Sequence, residues 1–108
     1  MRISNELQKG KAGEYLVRAD LILKGFVAFP SEQGLPYDVL LDTGNKLLRV
    51  QVKTTDGVRS IPQRNKESKA YIFNIKTHGR HRDKINEDCD LFALVCLDTM
   101  KIGYITVS

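Results

Sequence analysis

The stretch PYDVLLDTGNKLLRVQVKTT, residues 36–55, puts a carboxylate, an amide and an ammonium on what otherwise reads as a half-buried β-hairpin. Side chains alternate faces along a strand, so Val50 and Val52 point one way while Arg49, Gln51, Lys53 and Thr55 point the other. The turn between Leu41 and Lys46 is short, which lets Asp38 lie beside Gln51 or Lys53 in register. A carboxylate and an amide oxygen held close together suit a hard cation such as Mg²⁺. The carbonyl of Val52 offers a third oxygen, and Glu14, presented from a preceding helix, a fourth. Hydrolysis of a phosphodiester needs neutralised non-bridging oxygens, an in-line water and help for the leaving oxygen. A bound metal supplies the first and acidifies the water, and Lys53 can orient that water or meet the developing charge. A plainer reading is open: Asp38 and Lys53 as a cross-strand ion pair worth roughly a few tenths of a kcal/mol, Gln51 as an exposed strand residue, Glu14 as a solvated helix carboxylate.

The elements that must position these groups follow from pattern. Residues 5–24 read as a helix capped by Ser4 or Asn5 and closed by Gly25. Ala12, Tyr15, Leu16, Ala19, Ile22 and Leu23 fall on one face and predict the main packing stripe. Leu7, Gly10, Val17 and Leu21 form a second stripe nearly opposite, with Glu14 in its middle, so the helix is expected to be clasped between the sheet and something else. FVAFP is a short strand stopped by Pro30. YDVLLD and KLLRVQVKTT make the hairpin, and AYIFNIK, DLFALVCLD and IGYITV read as further strands. Segments 56–69 and 77–89 are polar and read as loops. One helix followed by mostly antiparallel strands predicts an α+β domain with a mixed, largely antiparallel sheet of five to six strands, spanning 1–108 as a single unit.

At 108 residues the chain suffices for one core and not two. It carries no apolar run of membrane-span length and no signal-peptide stretch at MRISNELQKG, so a soluble, intracellular protein of cytoplasm or nucleoid is expected, without membrane partners. Cys89 and Cys96 fit neither a zinc knuckle nor a disulfide framework and are read as reduced thiols. Net charge is only +4, but Arg59, Arg64, Lys66, Lys69, Lys76, Arg80, Arg82 and Lys84 crowd residues 57–86 against Glu67 and Asp83 alone. That density suits a polyanion, of which nucleic acid is the commonest; a solvated loop explains it as well.

With KGKAGEYLVRADLILKGF, PYDVLL and RVQVKTT in order, the chain resembles the PD-(D/E)XK nuclease superfamily, the matches being Glu14, Asp38 and Gln51-Val52-Lys53. It looks most like the small Holliday-junction resolvases and the intron homing endonucleases of QXK type. The resemblance implies a restriction-endonuclease-like fold and a metal-dependent DNA endonuclease leaving 5′-phosphate and 3′-hydroxyl ends. It also implies Mg²⁺ as cofactor, with Mn²⁺ able to substitute, held by Asp38, Gln51 and the Val52 carbonyl with help from Glu14, while Lys53 activates the water. Gln51 stands where the pattern usually has an acid, one negative charge fewer. The family's second helix has only 79–89 in which to form.

Other residues are weighed against simpler roles. Ser31 and Gln33 lie where loop groups could touch the scissile phosphate, though turn formation explains them equally. Arg49 is a candidate to bind a phosphate or to tune Glu14, and Thr55 shares the face of Lys53 and is a candidate DNA contact. Arg59, Arg64, Lys66, Lys69, Arg80 and Arg82 are the backbone-binding candidates, a sequence-blind mode that favours branched DNA over a specific duplex site. A junction's near two-fold symmetry implies a homodimer, built through the second helix stripe or the IGYITV edge strand. His78 and His81 are read as exposed, Phe29 and Tyr37 as core, Gly34 and Gly44 as turn residues. Asp42 and the Glu87, Asp88, Asp90 cluster are read as capping and solvated carboxylates. The rival readings are a sequence-specific homing or restriction-type endonuclease and a non-catalytic DNA-binding module.

Overall fold

The computed structural model describes residues 4–57, 59–63, 66–70 and 88–107, with 59–63 and 66–70 described by their backbone. Helix α1 runs Asn5–Leu23. Ser4 is its N-cap, its Oγ accepting from the Leu7 N–H at 3.2 Å. It ends where Gly25 turns the chain at φ 96°, and Phe26 N–H then bonds back to the Leu21 carbonyl at 3.1 Å.

Strands β1 (Val27–Pro30), β2 (Val39–Asp42), β3 (Leu47–Thr55), β6 (Leu91–Cys96) and β7 (Lys101–Thr106) form one sheet in the order β1-β2-β3-β6-β7. All neighbours are antiparallel except β3 and β6, which run parallel with Gln51 opposite Phe92. The β2–β3 turn forms as its residues dictate. Gly44 adopts φ 93°, and its N–H is taken by Asp42 Oδ1 at 2.8 Å. One helix on a five-stranded mixed sheet is the restriction-endonuclease-like α+β arrangement that the sequence predicts.

Three expectations change. First, α1 packs on the sheet through Gly13, Val17 and Leu21, which are buried; Tyr15, Ile22 and Leu23 on the stripe expected to pack are exposed, Leu23 by 87%. Both stripes are comparably apolar, so periodicity could not choose between them. The deciding feature is size. Gly13 lets the helix lie against β3, where a Cβ would come within 2.0 Å of Thr54 Oγ1. Val17 and Leu21 are thereby buried within their own chain and unavailable for a subunit interface, and among the described residues α1 is covered by the sheet on one side only.

Second, the segment 56–69, expected as loop, contains β4 (Arg59–Gln63) and β5 (Lys66–Ala70), paired antiparallel as a separate two-stranded sheet. The segment is rich in polar residues and carries no apolar alternation by which a strand could be read. Pro62 is tolerated there because a two-stranded ribbon consists of edges. Third, Phe29 is 47% exposed on edge strand β1 rather than in the core. The expected AYIFNIK strand contributes Ala70 to β5; its residues 71–76, and 79–87 of the expected second helix, lie outside the described residues.

The core is small and built of short side chains: Val17, Leu21, Ala28, Val39, Leu41, Val50, Ala93 and Val95. It lies between the Val17–Leu21 part of α1 and the sheet.

Candidate active site

Strand β2 stops before β3 does, and the site lies in the gap. The last β2–β3 pair is Val39 with Val50; one residue earlier, Asp38 N–H still donates to the Val50 carbonyl at 2.8 Å. Beyond that point β3 continues to Thr55 without β2 beside it. The exposed N–H of Val52 is met instead by a side chain, donating to Asp38 Oδ2 at 2.8 Å. A charge-assisted bond of this kind fixes the carboxylate's orientation. N–H and C=O of one strand residue point to the same edge, so the Val52 carbonyl faces the same gap.

Glu14 reaches this gap from α1. Its carboxyl group is pushed above the usual range chiefly by burial and then by repulsion from Asp38; a bond from Lys11 Nζ at 3.3 Å opposes the shift in part. Two carboxylates thus share a partly desolvated space.

Alternation along β3 turns Val50 and Thr54 toward the helix, and Gln51, Lys53 and Thr55 toward the other face. Because the cleft opens at a strand edge, groups from both faces border it. Glu14, Asp38, Gln51, Val52 and Lys53 all line one cleft of about 400 Å³. Gln51 and Lys53 reach this cleft from the sheet face away from α1, so the groups border one space from two sides and do not share a face. Gln51 is only 7% exposed, which rules out the reading of it as an ordinary surface residue. Lys53 is half-buried and close enough to Cys89 to act on its thiol, which burial holds up at about 11.

The donor set suits a hard divalent cation: two carboxylates, an amide oxygen and a main-chain carbonyl, all oxygen. Among the described residues no cluster of three or more His, Cys, Asp or Glu is placed to hold a metal. Any ion here would rely on Gln51 and Val52 to complete its shell. The raised proton affinity of Glu14 fits such a role, since a cation between it and Asp38 would relieve the repulsion.

The remaining candidates are distributed around this centre. Thr55 lines the cleft, its hydroxyl donating to the Gly57 carbonyl at 3.3 Å. Ser31 borders a neighbouring cleft of about 450 Å³; its hydroxyl donates to the Tyr37 carbonyl at 2.6 Å and so closes the 31–38 loop. Arg49 does not line either cleft. Its guanidinium meets Asp90 at 3.1–3.2 Å, and Asp90 also takes the Arg49 main-chain N–H at 2.8 Å, fastening the start of the parallel β3–β6 pair. Asp88 is 3% exposed, so it and the paired Asp90 are not the solvated carboxylates expected. Arg59, Lys66 and Lys69 lie on the β4–β5 ribbon; Arg64, Arg80, Arg82, His78, His81 and Glu87 fall outside the described residues.

Sequence reasoning missed a tie across the cleft: Lys9 on α1 pairs with Asp56 just past β3, both at the rim. No local signal could have shown it, since the partners are 47 residues apart.

Among the described residues no helix is long and apolar enough to cross a membrane. Comparison with curated proteins yielded no match. Among solved structures the chain is similar to the bacterial homing endonuclease I-Ssp6803I, with 17% identity and a TM-score of 0.64 over 96% of this chain and 70% of that one. That likeness is one of fold. The sequence model that matches residues 4–108 is that of a PD-(D/E)XK endonuclease, and it spans the helix, the hairpin and the parallel strand that together frame the cleft. The chain belongs to the PD-(D/E)XK endonuclease family.

Proposed function

We propose that the protein is a metal-dependent DNA endonuclease that hydrolyses phosphodiesters in the cleft between α1 and the free end of β3. The observation that supports it is the substitution of the Asp38 carboxylate for a missing strand, beside Glu14 and in one cleft with Gln51, Val52 and Lys53. When bound, a divalent cation would neutralise a phosphate oxygen and acidify water. The residues to hold it are Asp38 through its carboxylate, Gln51 through its amide oxygen, Val52 through its carbonyl, and Glu14. Lys53 orients the attacking water and meets negative charge as the leaving oxygen departs. Products carry 5′-phosphate and 3′-hydroxyl ends. The two carboxylates and Gln51 make a site less negative than one of three acids, so Mn²⁺ and Mg²⁺ should both serve, Mn²⁺ at lower concentration.

Branched DNA is the preferred substrate. The basic 59–84 stretch suits backbone recognition, and a homodimer would put one cleft on each of two opposed strands. The homing endonuclease among similar structures favours a second reading, cleavage of a linear duplex at one sequence.

The test is a gel assay of purified protein with Mg²⁺, Mn²⁺ or EDTA on a four-way junction, fork, flap, single strands and linear duplex. Metal-dependent cutting abolished by Lys53→Ala is the expected result. Preference for the junction supports the first substrate reading, and indifference to junctions with cutting at one duplex sequence supports the second. A wild type that binds DNA and never cuts it would leave only a non-catalytic DNA-binding module.

A further inference from the structure

Among the described residues nothing accounts for a glycine at position 10 of α1. Glycine in a helix interior is usually explained by a left-handed backbone or by a neighbour too close for a side chain. Gly10 shows neither. The positive-φ glycines are Gly25, Gly34 and Gly44, and a Cβ built at Gly10 meets nothing within 4 Å among the described residues. Gly13, less than one turn away, shows the contrast, since a Cβ there would strike Thr54. Glycine weakens a helix relative to alanine, so the bare position at residue 10 costs stability without any return from packing.

Its location supplies the return. Gly10 borders both clefts, the one holding the candidate metal ligands and the one walled by the 31–35 loop. Glu6 and Glu14, one turn to either side, and Asp38 also border both. Gly10 is therefore the saddle over which the two clefts join. Lys9 and Lys11 flank it, their ammonium groups held by Asp56 and Glu14.

Resting on the nuclease reading, we propose that Gly10 is where the sugar–phosphate backbone of one DNA strand crosses α1. The strand runs from the 31–35 loop cleft to the phosphate lying between Glu14 and Lys53. The absent side chain lets the backbone lie directly on the helix. Lys9 and Lys11, released from their carboxylates, become phosphate contacts on either side.

Gly10→Ala and Gly10→Leu in the full chain test this. Three quantities are measured: thermal midpoint, Mn²⁺ affinity, and the Kd of a labelled four-way junction and a labelled linear duplex in Ca²⁺ by anisotropy. Expected is a midpoint raised by about 4 °C in Gly10→Ala, unchanged Mn²⁺ affinity, and a Kd for DNA that rises with side-chain size, roughly tenfold for leucine. Wild-type DNA affinity in both variants overturns the proposal. So does a Mn²⁺ affinity that falls in step with DNA binding, which would mean that Gly10 acts by placing Glu14. Failure of the nuclease reading appears separately, as a wild type that binds the labelled DNA but cuts none with Mg²⁺ or Mn²⁺.

Discussion

Glu14 carries the clearest electrostatic signature in the cleft, and its consequence has a definite sign. Its carboxyl group holds a proton more tightly in the folded chain than its ordinary value of 4.5, because burial and Asp38 disfavour the charge. The cost of ionising it is therefore absent below that value and fully present once pH exceeds the raised one, so metal-free stability should fall as pH rises through that interval. Glu14→Gln should flatten this part of a melting-temperature profile and raise the metal-free midpoint by about 2 °C at neutral pH, while weakening Mn²⁺ binding. A profile unchanged by the substitution would separate Glu14 from the cleft's electrostatics. Gln51 allows the complementary experiment. Gln51→Glu adds a third carboxylate at a position only 7% exposed. Calorimetry should show divalent affinity up roughly tenfold, and melting without metal should show a less stable protein, since the new charge then has no counter-ion.

The helix and its partner strand are set by one steric contact. Gly13 lies against Thr54, whose buried Oγ1 has no hydrogen-bond partner among the described residues. Gly13→Ala drives a Cβ into that hydroxyl and must push α1 off β3, at a cost of about 1–3 kcal/mol in denaturant unfolding. Thr54→Ala removes the clashing oxygen, so the double variant should recover most of the lost stability; no recovery would place the strain elsewhere. The two helix glycines thus predict opposite outcomes on substitution, loss at 13 and gain at 10. Neither could be told from the other in the sequence, where both sit in KGKAGEY without neighbours. The β2–β3 hairpin was legible for the reverse reason: Asp42, Gly44 and the alternating valines specify it locally. The face that α1 buries was not, because two apolar stripes compete on it and the deciding Thr54 is 41 residues beyond Gly13. The β4–β5 ribbon escaped notice because its mostly polar sequence carries no apolar alternation.

Taken together, the α+β class and the hairpin could be read from residue type and spacing, since each has a local reason to be where it is. The neighbour of β3 on its far side could not. Strand β6 pairs with it in parallel, and a parallel pair demands a long crossover whose contacts are invisible in local pattern. Arg49 shows the limit well: on alternation it seemed a cleft residue, yet it is captured by Asp90, 41 positions downstream. The basic stretch that suggested nucleic acid is only partly described, as the β4–β5 ribbon, and its bearing on substrate choice rests with the cleavage assay.

That late-arriving parallel strand also governs when the cleft comes into being. Every group assigned to catalysis has been synthesised by Lys53, but β3 then has one edge bare and two of the eight core residues, Ala93 and Val95, still unmade. A truncated chain ending before Leu91 would carry the complete chemical inventory on an open, valine-rich edge, the kind of surface that joins other chains. Such a fragment should sediment as aggregate rather than titrate with Mn²⁺, which ties the proposed metal site to the arrival of β6.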